Sequence, residues 1–317
     1  MDNVSQAAAL SSSVEDALHR ALDQINRIVV GKESTIRLAM TCLIAEGHLL
    51  LEDVPGVGKT TLAHTLAVTT GLEFQRVQFT SDMLPADILG ITIYSRERET
   101  FDFHPGPIFS QVMLADEVNR ATPKTQSALL EAMAERQVTI EGQTRPLPET
   151  FFVIATQNPV DLAGTFPLPD SQMDRFLMRL HMGYPDAEAE RRLLEEPDRQ
   201  SLLADAVPCM SDAQLRLLQQ RASEVHASPA LLDYLQALIQ ASRDYSGIDT
   251  GLSPRGGLAI LRCARAWALL DDRDHLIPED LQAVFVAVAA HRLRPSSGNE
   301  SRPEEVAAEL LAQVPIQ

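Results

Sequence analysis

Cysteine is scarce in this 317-residue chain. The three present, Cys42, Cys209 and Cys263, are far apart, odd in number and free of any C-x-x-C spacing. That excludes a disulfide framework and a zinc site of ordinary spacing, and it points to a cytoplasmic chain with its thiols in or near the core. Long apolar runs are also missing. None approaches the roughly 20 residues that span a bilayer, so no transmembrane segment is expected. Residues 1–13, rich in Ala and Ser, lack the basic start and apolar centre of a secretion signal and read as a frayed tail. Positive charge is in short supply as well: 27 Lys and Arg stand against 44 Asp and Glu, for a net charge of -17. A nucleic-acid binder ordinarily carries a basic face that displaces counterions from phosphates. Nucleic acid is therefore a disfavoured partner, although net charge hides local patches.

The chain is long for one compact core, so two domains of unequal size are expected. From about residue 28 to 180, short apolar runs alternate with amphipathic stretches, the pattern of a parallel sheet covered by helices on both faces. Strand candidates are 48–52, 74–79, 112–115, 151–155 and 176–180, enough for one five-stranded α/β sheet. After Pro185 the β-rich runs stop, and 187–195, 212–225, 230–243, 256–271 and 278–291 carry helical periodicity. Ser228-Pro229, Ser253-Pro254 and Ile277-Pro278 stand where helix starts are expected. Residues 294–303 read as a surface loop before a last helix at 304–313. The resulting division is a helical extension at 1–27, an α/β core at 28–184 and an all-α lid at 185–317.

Within the α/β half, Leu49-Leu50-Leu51-Glu52 runs into Asp53-Val54-Pro55-Gly56-Val57-Gly58-Lys59-Thr60-Thr61-Leu62. This is an apolar strand, a glycine-bearing loop ending in Gly-Lys-Thr, and a helix. Pro55, Gly56, Val57, Gly58, Lys59, Thr60 and Thr61 are the expected phosphate-binding set. Gly56 and Gly58 let backbone N–H groups approach phosphate oxygens, the helix offers its positive end, Lys59 reaches the β and γ phosphates, and Thr60 can bind magnesium. One departure from G-x-x-x-x-G-K-[ST] is that Asp53 stands at the first glycine.

Val112-Met113-Leu114-Ala115 ends in Asp116-Glu117, 57 residues and more beyond Lys59. A buried strand would deliver both acids to its carboxyl end, where ligands of open α/β sheets bind. Asp116 would then hold the magnesium and Glu117 would orient and deprotonate a water. Taken alone, Asp-Glu after an apolar strand is equally a helix-start signal. A further run, 151–155, ends in Thr156-Gln157-Asn158-Pro159. It offers Asn158 as a neutral amide for the water or a γ-phosphate oxygen, or simply as a turn former.

These motifs, in this order, resemble the AAA+ fold. The stretches Leu114-Ala115-Asp116-Glu117-Val118-Asn119-Arg120-Ala121, Lys124-Thr125-Gln126-Ser127-Ala128-Leu129-Leu130-Glu131-Ala132-Met133 and Ala155-Thr156-Gln157-Asn158-Pro159 narrow the likeness to the MoxR family of AAA+ ATPases, over nearly the whole chain. The resemblance implies a P-loop NTPase using ATP and Mg2+, with Val30 and Gly31 near the adenine and Asn158 as a first sensor. Arg255, in Gly251-Leu252-Ser253-Pro254-Arg255, would be a second sensor reaching from the lid to the γ-phosphate, and Arg175 an arginine finger. Arg120 is a rival for that trans-acting role, and each arginine could instead be a salt-bridging residue. Two hairpins, 91–103 and 138–146, match the helix-2-insert branch, where such hairpins face the ring pore and contact clients; the alternative is a pair of edge hairpins without a role.

In the family sense the chain would be a hexameric, chaperone-like ATPase that remodels or assembles protein complexes with a von Willebrand A-domain partner protein. A nucleic-acid motor, a chelatase-type motor subunit and a nucleotide switch without turnover are the competing readings.

Overall fold

The computed structural model describes residues 2–158, 164–195, 198–296 and 301–316, with side chains from Val14 onward. The first helix, α1 (Asp2–Ile28), runs back through the stretch expected to fray. From Val14 on, its buried residues Val14, Ala17, Leu18, Ala21, Ile25 and Ile28 fall on one stripe at helical spacing. That stripe packs on α2 (Glu33–Ile44) and α3 (Lys59–Thr69), so burial along the stripe accounts for its order there.

Five strands form one parallel sheet: β1 (Leu49–Glu52), β2 (Phe74–Gln78), β5 (Val112–Asp116), β8 (Phe152–Gln157) and β9 (Met178–Leu180). Their order across the sheet is β2-β5-β8-β1-β9. The three central strands are apolar and buried on both faces, as a parallel sheet between two helical layers requires. Alternation decides which face each side chain serves. Leu49, Leu51, Val112, Leu114, Phe152 and Ile154 join the core beneath α1, α2 and α3. Leu50, Met113, Ala115, Val153 and Ala155 join a smaller core with α4 (Pro85–Leu89) and α5 (Pro123–Glu135). The edge strand β2 leaves Gln75, Arg76 and Gln78 exposed.

Both expected hairpins are present. One joins β3 (Gly90–Ser95) to β4 (Thr100–Pro105), the other β6 (Gln137–Ile140) to β7 (Gln143–Pro146). Between β6 and β7 the two turn residues Glu141 and Gly142 have φ of 51° and 78°. Positive φ at both central positions is the two-residue turn whose twist matches that of paired strands.

The remainder is helical: α6 (Asp170–Met173), α7 (Ala187–Glu195), α8 (Arg199–Ala204), α9 (Asp212–Glu224), α10 (Pro229–Asp244), α11 (Pro254–Leu269), α12 (Pro278–Ala289) and α13 (Pro303–Gln313). The Ser-Pro starts behave as expected. The Ser228 and Ser253 hydroxyls accept from the Leu231 and Gly256 N–H groups, with proline in each first turn. Helix α11 packs against α2, α9 and α12, so the first core runs on without interruption into the helical half. One expectation fails: a short antiparallel ribbon, β10 (Ile248–Thr250) with β11 (Arg294–Pro295), stands where no strands were expected. Neither segment has period-2 patterning. The pairing follows from where α10 and α12 end, which the local sequence does not encode.

Candidate nucleotide site

The loop leaving β1 folds into the amino terminus of α3. Gly56 and Gly58 have φ of 86° and 96°, a conformation that favours glycine. At Gly56 a Cβ would meet nothing within 4 Å, so backbone geometry rather than lack of room calls for glycine there. Lys59 opens the helix and turns its amine back onto the loop, donating to the carbonyls of Asp53 at 2.5 Å and Val54 at 3.3 Å. Burial lowers the Lys59 pKa, opposed by the negative charge of Asp53, Asp116 and Glu117. Thr60 and Thr61 follow in the first turn, half-buried.

Asp53, the departure from the usual loop pattern, is a brace. One of its carboxylate oxygens accepts from the Val54 N–H at 2.8 Å and the other from the Gly183 N–H at 2.5 Å, tying the loop to the chain leaving β9. Where the sequence suggested only a missing glycine, the structure has two hydrogen bonds.

Asp116 ends β5 and is only 8% exposed. Its Oδ1 accepts from the Thr156 hydroxyl at 2.6 Å, and its Oδ2 accepts from Arg76 Nη2 at 2.7 Å and Nε at 3.2 Å. Glu117 follows in the left-handed region, with φ of 56°. Its N–H donates to the Thr156 hydroxyl at 2.8 Å, so Thr156 bridges the two acids. Its Oε2 accepts from Gln78 Nε2 and Arg120 Nε, each at 2.8 Å. Arg120 is thus engaged with the acid of its own chain. Asn158 lies at the tip of β8, where its carbonyl accepts from Asn119 Nδ2 at 3.5 Å. Oxygen donors from Thr60 and Asp116 beside a phosphate-binding loop suit a hard cation such as magnesium.

Val30 is buried and Gly31 adopts φ of 68°. A Cβ on Gly31 would come within 2.5 Å of the Ala189 side chain, so α7 lies directly on this turn. Lys32 Nζ reaches the Tyr184 carbonyl at 2.8 Å from the same turn.

Arg175 and Arg255 are elsewhere. Both line a cavity of about 280 Å³ at the start of β1, together with His48, Arg136, Arg262 and Arg292. Arg175 Nη1 donates to the Leu130 carbonyl at 2.9 Å. Arg255, its side chain 70% exposed, is 3.8 Å from Asp174 Oδ2. The Arg292 side chain is buried and its Nε donates to the other oxygen of Asp174, Oδ1, at 2.7 Å. His48 donates through Nε2 to the Met133 carbonyl at 3.2 Å and accepts the Val153 N–H at Nδ1 at 3.0 Å, and burial brings its pKa down to about 4. Lys59 follows the end of β1 whereas this cavity opens at its beginning. Arg255 therefore stands at the opposite end of β1 from the phosphate loop of its own chain. The cause is the seating of α11 on α2 and α9, which aims its first turn at Asp174.

Sequence reasoning missed Arg76, Gln78 and Thr156. Only the pairing register Gln78↔Asp116 and Ala115↔Ala155 brings their strands alongside the acids. Thr156 alone had a local signal, a polar residue ending an apolar strand.

Comparison with known proteins agrees with this architecture. The sequence profile of the ATPase family associated with various cellular activities (AAA) matches residues 48–178, and that of the AAA lid domain matches residues 240–312. The chain is 39% identical over 322 residues to Chaperone MoxR1 of Mycobacterium tuberculosis, covering 98% of this chain and 85% of that protein. It is 33% identical over 338 residues to Protein MoxR of Methylorubrum extorquens, covering 99% and 98%. A crystal structure from Cytophaga hutchinsonii, assigned as an ATPase, superposes with a TM-score of 0.89 at 35% identity over all of both chains. With a five-stranded parallel sheet, a lid and near-full-length likeness to these proteins, the chain belongs to the MoxR family of AAA+ ATPases.

Proposed function

We propose that this chain hydrolyses ATP with magnesium in a cytoplasmic ring of six copies, and that the cycle drives chaperone-like remodelling or assembly of protein complexes. The observation that carries the hydrolytic part is the convergence of Lys59, Asp116 and Glu117. They are distant in sequence, yet only β8 separates the parallel strands β1 and β5, so the loop after β1 and the acids at the end of β5 share one edge of the sheet. In this reading Lys59 leaves the carbonyls of its loop for the β and γ phosphates, while the N–H groups of residues 55–61 and the α3 dipole cradle them. Magnesium, when bound, neutralises phosphate oxygens and is held by Thr60 and Asp116. Glu117 orients a water and takes its proton, Asn158 fixes that water, and Val30 and Gly31 lie beside the base.

Arg175 and Arg255 are read as serving the phosphates of a neighbouring copy. Their position at the amino end of β1 supports this, since neither is near Lys59 of the same chain. That reading gives the second-sensor arginine, Arg255, a trans role. Arg120, paired with Glu117 of its own chain, is the weaker candidate for the finger. A von Willebrand A-domain protein and a protein client are the proposed partners, the two hairpins the proposed client contacts. Phe101 and Tyr94 on the first hairpin are 73% and 49% exposed, which suits a protein client better than nucleic acid.

The test is sustained phosphate release by the purified chain and its loss in Lys59→Ala, with calorimetry on the same samples. Lys59→Ala should lose ATP affinity by about 100-fold, the effect of removing a charge-assisted contact worth about 2 to 3 kcal/mol. Undiminished affinity would sink the assignment of the loop.

A further inference from the structure

Arg76 sits on the edge strand β2, half exposed, and is not part of the phosphate loop or of any motif described above. Its guanidinium nevertheless reaches over to Asp116 and donates twice to Oδ2, at 2.7 and 3.2 Å. The Thr156 hydroxyl takes Oδ1 at 2.6 Å. An ionised carboxylate has about four lone-pair sites. Three of those on Asp116 are therefore occupied, two of them by one cationic side chain. The same guanidinium donates to Gln78 Oε1 at 3.2 Å, and Gln78 in turn donates to Glu117 at 2.8 Å. One strand edge thus grips both acids.

We propose that Arg76 is a resident counter-cation of the metal site: it competes with the divalent ion for Asp116 and sets the metal concentration at which the site fills. The inference rests on the reading of Asp116 as the metal-holding acid. A carboxylate that holds a hydrated cation does so by accepting from the bound waters through the lone pairs Arg76 now uses. Two positive charges beside one carboxylate also repel each other, and in a half-exposed site that repulsion remains appreciable. Filling the site with a divalent ion therefore obliges Arg76 to swing outward, which its exposure allows. Arg76 is a positioning residue, acting through Asp116, and not a group that touches the phosphates. Because β2 is an edge strand leading into α4 and the first hairpin, whatever displaces Arg76 also bears on the elements proposed to touch the client.

The experiment is manganese binding in the presence of ADP, followed by the loss of the free-ion signal in electron paramagnetic resonance, so that turnover plays no part. Wild type, Arg76→Lys and Arg76→Gln are compared. Arg76→Gln removes the competing charge and should half-saturate at about tenfold lower manganese, while Arg76→Lys keeps the charge, loses one hydrogen bond and should fall between, at about threefold lower. If Arg76→Gln does not fold, the shift in Arg76→Lys decides. Weaker or unchanged manganese binding in the variants would overturn the proposal and make Arg76 a tether that holds Asp116 in place. If the wild type bound no manganese with ADP while binding ADP itself, the assignment of Asp116 would fail, and the proposal with it.

Discussion

At the carboxyl ends of β1, β5 and β8 the chain gathers an amine, two acids and the positive end of a helix. At the start of β1 it gathers arginines 136, 175, 255, 262 and 292 around one cavity. The first group is cross-linked: Thr156 bridges Asp116 and Glu117, and Asp53 ties the phosphate loop to the chain leaving β9. The second group is held unevenly: Arg136, Arg175 and Arg292 bond to backbone carbonyls around the cavity. Asp174 pairs closely with buried Arg292, which leaves Arg255 at 3.8 Å and largely in solvent. An exposed pair of that kind contributes about 0 to 1 kcal/mol to stability. In a chain of net charge -17, an exposed arginine such as Arg255 that does little for the fold calls for another purpose. The two ends are complementary, phosphate site against cations, and they stand at opposite ends of β1. In the proposed ring of identical copies they would meet, because a head-to-tail contact that closes repeats the same junction at every subunit.

The largest effect expected from breaking this pairing is at Arg175. Arg175→Ala should bind ATP normally and hydrolyse it about 10³- to 10⁵-fold more slowly, the range for loss of an arginine finger. Mixing it with Lys59→Ala subunits should restore part of the activity, since one junction then combines an intact loop with an intact arginine. Mixed rings that exchange subunits by native mass spectrometry yet stay as inactive as either parent would remove the trans role from Arg175. On the other side of the junction, Glu117→Gln keeps the shape of the acid but cannot take a proton. It should bind ATP and turn over about 10²- to 10⁴-fold more slowly in a phosphate-release assay. Turnover at the wild-type rate would move the base elsewhere.

Legibility in the sequence differs between the two ends for a physical reason. The loop at 53–60 and the acids at 116–117 are local signals: a strand, then residues whose chemistry is visible side by side. The central strands are legible because burial on both faces leaves them continuously apolar, as Val112 to Ala115 are. The contacts of Arg76 and Thr156 with Asp116 depend on pairing register between β2, β5 and β8, which no short stretch carries. The position of Arg255 depends on the whole path from β9 through α11. A resemblance pointed to a γ-phosphate but not to which copy's, and the packing of α11 on α2 and α9 sets it at the other end of β1 from its own loop. The ribbon of β10 and β11 is hidden in the same way, by long-range packing of helices whose own periodicity is clear.

Arg255 gives the smallest effect and the sharpest discrimination between the two ends. It stands in the first turn of α11, 70% exposed, with its nearest acid shared with another arginine. Truncation should therefore leave folding untouched, and a thermal unfolding midpoint within a few degrees of wild type is expected. If the guanidinium meets the γ-phosphate of a neighbouring copy, Arg255→Ala should weaken binding of a non-hydrolysable ATP analogue by about tenfold, near 1.4 kcal/mol for one exposed charged contact. ADP lacks that phosphate, so its affinity should stay within about twofold. The loss should also require assembly, and disappear at protein concentrations where native mass spectrometry finds single copies. Equal losses for ATP analogue and ADP would return Arg255 to an ion pair with Asp174. A loss for the analogue that persists in single copies would mean that the helical half swings far enough to bring Arg255 back over its own phosphate loop, and the division of labour between the two ends would then rest on Arg175 alone.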